Sequence, residues 1–410
     1  MRVAWRVLRT EGLLAVRDRA LDRLAEARRR RSFSPAPPGW RPEPPVPVLT
    51  LSSTPPAPWL GGVQSHLLRS LKAAPAGSAL LYPQRYGWRL EVAGKALAFP
   101  GAPPSSVTLE DAAFEEAVRS AVGVLGARAV HVEGLADLPP GSLLRLRREG
   151  LDVSIALHDF AAYCPRPHLL EHPQLRFCWY SRDLARCGHC LRQDWPVENA
   201  FQAERRAVSA ELLASASALV FPSEFLRQTY AELFPGLSPE RQRIVAPTGG
   251  IAPLPPRSSG PVRHVALVGG VKAHKGALVF EEVVRRRAGE ELRWTTYGGG
   301  DPKLLQRLGR LPRVRIRGYY RSGTFARLLR RDAVDLALLL SIVPESYSLS
   351  LDECAAAGVP VVAFDLGAVG ERLPLLGAGR LVPLEEGAEG IAAAILEISR
   401  GIEENGRIGT

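Results

Sequence analysis

Two series of alternating strand and helix signals, parted by a short Pro-, Ser- and Gly-rich run, constrain this 410-residue chain most. In the first series residues 46–51 read as a strand, and Gly61-Gly62-Val63 leads into a helix through Leu71. Strand signals recur at 80–82, 129–132, 153–157, 218–221 and 243–245, with helical periodicity at 109–125, 143–149 and 201–215 between them. Ser223 is placed to cap one more helix. In the second series, strands at 264–268, 292–297, 314–316 and 336–340 alternate with helices at 277–287, 325–331, 350–357 and 391–404. Alternation of this kind predicts two parallel sheets, each wrapped by helices. Ligands of such open sheets bind outside the carboxyl ends of the strands.

The spacing divides the chain into a basic amphipathic helix over 1–34, a Pro-rich linker over 35–47 and a first α/β domain over 48–252. A linker over 253–261 and a second α/β domain over 262–410 follow. Hydrophobic content of 46% supplies both cores. No stretch of eighteen apolar residues occurs, so no spanning helix is expected. The first residues carry no apolar leader, and the expectation is a cytoplasmic protein. The net charge of +11 suggests nucleic acid, but its distribution argues otherwise. Residues 1–31 hold ten Arg against four acids, and no nucleic-acid module accompanies them. Val3, Val7, Leu8, Leu14, Leu21 and Leu24 fall near one helical face there, which suits peripheral contact with an anionic membrane surface or packing against protein.

Chemistry concentrates at residues 344–365. Glu345 and Glu353 lie eight positions apart, and a small-residue turn through Ser348 and Leu349 opens the helix that carries Glu353. Gly358 and Pro360 end that helix, and Val361–Phe364 reads as the next strand. A helix start offers free N–H groups and a positive dipole end, which suits phosphate. One carboxylate reaches a ligand from the loop and the other from the helix.

This segment resembles the Glu-x7-Glu signature of retaining, GT-B fold glycosyltransferases of family 4, and Gly367 with Glu371-Arg372 continues the likeness. The resemblance implies two doubly wound, Rossmann-like domains facing a cleft, with donor in the second and acceptor in the first. It implies that Glu345 contacts the sugar of a nucleoside-diphosphate sugar and that Glu353 binds the ribose. Lys275 matches the family lysine on the diphosphate, whereas Gly270 stands where the family carries Arg, leaving Lys272 or another basic residue as a substitute. Gly269 and Gly270 form the loop before it. Gly298, Gly318 and Tyr319 match loops near the nucleotide, Gly61 and Gly62 match a loop near donor phosphate and acceptor, and His158 matches a histidine near the donor sugar and acceptor. The implied acceptor is a surface glycan or its lipid-linked precursor, and the implied chemistry needs no catalytic metal. Rival readings are a sugar-nucleotide epimerase, a non-catalytic sugar-nucleotide binder suggested by Gly270, and a zinc-dependent nucleic-acid binder.

Four of the five cysteines, Cys164, Cys178, Cys187 and Cys190, fall in a loop-rich insertion over 160–195. A Cys-x2-Cys pair with two further thiols fits a structural zinc, reduced free thiols or an iron–sulfur cluster. His131, inside a strand, reads as core or cleft wall.

Overall fold

In the computed structural model the described residues are 31–56, 78–247 and 261–407, apart from 288, 321, 322 and 378, with scattered positions from 16 to 28, at 64, 66 and 67, and at 254 and 255. Most of the expected basic helix, and both Gly61 and Gly62, lie outside them. The chain divides into two compact units, one of Ala25–Ala246 and another that includes Pro247–Thr410.

The first unit holds strands β1 (Ser34–Pro35), β2 (Val48–Ser52), β3 (Ala79–Gln84), β4 (Gly87–Val92), β5 (Lys95–Phe99), β6 (Ala129–Glu133) and β7 (Asp152–Ala156). A two-stranded piece, β8 (Leu170–Glu171) with β9 (Arg176–Phe177), precedes β10 (Ala218–Phe221) and β11 (Gln242–Ile244). Its main sheet runs β1-β5-β4-β3-β2-β6-β7-β10-β11. From β3 to β11 every neighbouring pair is parallel, as the alternation predicts. β4 and β5 add antiparallel to β3, a meander the alternation does not reveal. Ala93 and Gly94, at φ 47° and 72°, make the two-residue turn between them. Trp88 of β4 is buried edge-on against Phe114. At the far edge Ser34 and Pro35 pair with Lys95 and Ala96, so the sheet reaches into the Pro-rich run.

Helices α1 (Ala112–Leu125), α2 (Pro140–Arg148), α3 (Leu184–Leu191), α4 (Phe201–Ser215) and α5 (Glu224–Leu233) fill the connections. Asp111 caps α1 by accepting from Phe114 N at 2.8 Å, and Ser223 caps α5 by accepting from Leu226 N at 3.1 Å.

The second unit is a six-stranded, all-parallel sheet of β12 (His264–Val268), β13 (Arg293–Tyr297), β14 (Val314–Gly318), β15 (Leu336–Leu339), β16 (Val361–Phe364) and β17 (Gly379–Val382). Its order is β14-β13-β12-β15-β16-β17. Side chains alternate between two cores along each strand. Val265 and Leu267 of β12 join Phe280 of α6 (Ala277–Arg286), Leu305 of α7 (Pro302–Leu308) and Ile391 of the long terminal helix Gly387–Arg407. Ala266 and Val268 join Phe325 of α8 (Phe325–Arg331), Leu351 and Cys354 of α9 (Leu349–Ala357) and Val369 of α10 (Gly367–Arg372). Burial on both faces explains why the central strands β12, β15 and β16 read as apolar runs. The order turns back between β12 and β15, and the connections leaving those two strands part there.

Candidate functional site

The two loops that part at this turning point carry Lys275 and Glu345. Lys275 ends a single 3-10 turn, Ala273–Lys275, after β12. Gly276, at φ 75°, follows it and opens α6. A Cβ at Gly276 would sit far inside contact distance of the Leu340 carbonyl, so no side chain fits there. The segment after β15 grips the same turn. Ile342 N donates to His274 O at 2.9 Å, and Ser341 Oγ donates to it at 3.2 Å. These bonds bring the Lys275 ammonium to 2.9 Å from Glu345 Oε1, with both side chains partly open to solvent.

Beyond Glu345 the chain enters α9 through a strained residue. Ser348 sits at φ 71° and ψ 83°, left-handed backbone that a non-glycine residue rarely adopts. Its hydroxyl is buried and has no hydrogen-bond partner among the described residues. Arg372 of α10 holds this entry in place. It donates to Tyr347 O at 2.6 Å, pairs with Asp352 and lies over the Tyr347 ring at 3.7 Å. Gly367 is needed on the other side, since a Cβ there would meet Glu345 N at 2.7 Å and O at 2.8 Å. Ala368 N donates to Glu345 O at 2.9 Å. Both flanks of Glu345 are therefore fixed by α10, while its carboxylate stays outside the core.

Glu353 is half-buried on α9. The Tyr320 hydroxyl lies close by; burial pushes its pKa well up, and the Glu353 and Glu345 charges add to that. Gly298 N donates to Gly318 O at 2.8 Å, and Gly269 N donates to Tyr297 O at 3.0 Å, so the Gly-rich ends of β12, β13 and β14 lock together. Tyr319 covers Gly299 so closely that a Cβ there would overlap its ring. Gly270 differs. A Cβ there would meet only Gly299 O at 3.5 Å and the Lys272 side chain at 3.9 Å, so glycine is not required for space. Lys272 itself passes over that position.

Lys275, Glu345, Ser348, Leu349, Glu353, Gly269, Gly270, Gly298, Gly318 and Tyr319 thus all lie on the carboxyl side of the β12–β17 sheet. The arrangement offers an anion one ammonium, the start of a helix and an unused hydroxyl, with two carboxylates beside them for hydroxyl groups.

His158 belongs to the other unit, just after β7, and donates from Nε2 to Glu133 Oε2 at 2.8 Å. The sequence reading passed over Glu133 and His66. The available signal was a charged residue closing an apolar strand just before Gly134. His131, read as core or cleft wall, is half-buried, with Nδ1 at 2.9 Å from Ser154 Oγ.

Cys164, Cys178, Cys187 and Cys190 line one small cavity together with Arg166, Arg186 and Arg206. All four are free thiols, and burial pushes Cys164 up to about 12. His66, Glu133 and His158 form the one group among the described residues with three such ligand atoms within 4.8 Å of one another. The four thiols do not reach that spacing. Cys354 is packed in the core beneath α9. Among the described residues no helix is long and apolar enough to cross a membrane.

Residues 262–400 match the model of the family described as glycosyl transferases group 1. No curated protein matches the chain in sequence. Among solved structures the chain is similar to sucrose-phosphate synthase from Thermosynechococcus elongatus, with a TM-score of 0.60 at 17% identity over 88% of this chain and 93% of the other. It is also similar to HepE of Anabaena, solved with UDP and glucose, with a TM-score of 0.56 at 15% identity over 88% and 94%. The catalytic domain of starch synthase IV from Arabidopsis thaliana, bound to ADP and acarbose, gives 0.54 at 11% identity over 88% and 92%. At these identities the likeness is one of fold: two Rossmann-like α/β units, as in GT-B glycosyltransferases. The family match and this fold together support a glycosyltransferase.

The two glycines of the Lys275 loop give a direct test of its geometry. Gly276→Ala is expected to cost roughly 1–3 kcal/mol or more in urea unfolding, from strain alone. Gly270→Ala is expected to stay within about 0.5 kcal/mol of wild type. Equal stabilities for the two variants would contradict the packing against Leu340.

Proposed function

We propose that this chain is a retaining glycosyltransferase of family 4 type that moves a sugar from a nucleoside-diphosphate sugar to a glycan or lipid-linked acceptor. One observation carries the reading: the Lys275–Glu345 pair stands where the sheet order turns back, beside the strained, hydroxyl-bearing start of α9. An anion that enters here meets the ammonium of Lys275, the N–H groups of the first turn of α9 and the Ser348 hydroxyl.

In this reading the ion pair is the resting arrangement. The diphosphate replaces Glu345 as the partner of Lys275 and frees the carboxylate for the hydroxyls of the sugar. Glu353, about two turns beyond Glu345 and one turn into α9, accepts from the ribose hydroxyls. Bond cleavage leaves negative charge on the diphosphate, and Lys275 with the fixed dipoles stabilises it as it grows. Lys272, lying over Gly270, supplies the second cation that the family draws from Arg. The Anabaena neighbour holds UDP and glucose, so UDP-glucose is the first donor to try.

Glu345→Gln and Lys275→Ala are each expected to lower turnover at least about tenfold without loss of fold, read as nucleoside-diphosphate release together with melting temperature. Near-normal turnover in both would break the assignment.

The ten arginines of residues 1–31 support peripheral contact with an anionic membrane face. Removing residues 1–31 should weaken sedimentation with phosphatidylserine vesicles and leave neutral vesicles unaffected. Unchanged sedimentation removes the contact.

A further inference from the structure

Glu133 closes β6, the strand at which the first unit's sheet turns back: β2 pairs on one side through Ser52 and β7 on the other through Ala156. Its side chain is 4% exposed. Oε2 accepts from His158, while Oε1 faces His131 Nε2 at 3.6 Å and His66 Nε2 at 3.8 Å. Among the described residues no Lys or Arg pairs with it. Burying an ionised carboxylate costs several kcal/mol unless close partners compensate. Burial here works toward protonation, yet the His131 and His158 contacts hold the carboxyl well below its ordinary range.

His158 shows what the charge does. A carboxylate can only accept, so the proton of the neutral ring sits on Nε2. Nδ1 is then a bare acceptor, and among the described residues it has no hydrogen-bond partner. The His158 side chain is 11% exposed. Asp159, the next residue, is half-buried, and its Oδ1 accepts from Ala161 N at 2.8 Å.

We propose that Glu133 is a positioning residue that fixes His158 as the Nε2–H tautomer, so that Nδ1 accepts a hydrogen bond from a carbohydrate hydroxyl. The ligand class rests on the glycosyltransferase reading, whereas the tautomer rests on the Glu133 contact alone. His131, anchored by Ser154, and His66 flank the other carboxylate oxygen and leave the His158 bond undisturbed.

Two measurements on the full chain decide this. In nitrogen-15 imidazole spectra, with His158 assigned by its loss in His158→Gln, wild type should show a protonated Nε2 and a bare Nδ1. Glu133→Leu should mix the tautomers, and Glu133→Gln, whose amide oxygen still accepts, should retain the original one. A protonated Nδ1 in wild type, an unchanged signal in Glu133→Leu, or a shift of these signals on adding stoichiometric zinc overturns the proposal. In the transfer assay Glu133→Leu should lower kcat at least about tenfold with the donor KM within about twofold, and Glu133→Gln should recover most of the loss. Equal kcat in Glu133→Leu and wild type overturns the carbohydrate role. Wild type inactive with every nucleotide sugar counts against the glycosyltransferase reading, and the imidazole spectra alone then decide the role of Glu133.

Discussion

The Lys275–Glu345 contact depends on how two loops leave a parallel sheet. β12 and β15 are neighbours in the sheet but send their connections apart. Backbone amides that have left the sheet must find other partners or stay solvated. Here part of that need is met by Ile342 and Ser341 bonding His274 across the gap. That bonding holds the two loops together at the edge. Gly276 is what permits the approach, because the Leu340 carbonyl occupies the space of any side chain there. An ammonium and a carboxylate are thereby kept together near solvent. A partly exposed pair of this kind adds little to stability, on the order of 1 kcal/mol or less. Its position is easier to understand as a site kept ready than as a fastening.

The fold was legible where physics acts locally. The central strands of the second unit, β12, β15 and β16, are buried on both faces, so they appear as apolar runs, and Gly358 with Pro360 marks the end of α9 in plain view. Ser223 announces a helix start because a side-chain oxygen beside free amides has few other uses. The β4–β5 meander was harder. Pro83 sits inside β3, and Glu91 faces inward, where it accepts from Tyr82 and Arg89 at 2.8 Å each. A buried carboxylate disguises an alternating strand as a polar stretch.

The site was legible in the second unit because its parts lie within short motifs. Glu345, Ser348 and Glu353 share one loop and one helix, and Lys275 stands beside its glycines. What the sequence could not display was the left-handed backbone of Ser348, next to the Tyr347 carbonyl that Arg372 grips. Glu133 shows the opposite case. Its partners come from β6, from the loop after β7 and from position 66, so only the assembled sheet turns a solvated-looking glutamate into a buried anchor. The four thiols of the insertion line one small cavity, but among the described residues they do not come within the spacing of a shared ligand set.

Diphosphate recognition at Lys275 and the start of α9 is tested most directly by calorimetric titration of UDP, ADP and GDP into the full chain, which needs neither sugar nor acceptor. At least one nucleotide should bind wild type stoichiometrically, and Lys275→Ala should bind it at least about tenfold more weakly. Equal affinity in the variant, or no binding of any of these nucleotides to wild type, would contradict the account.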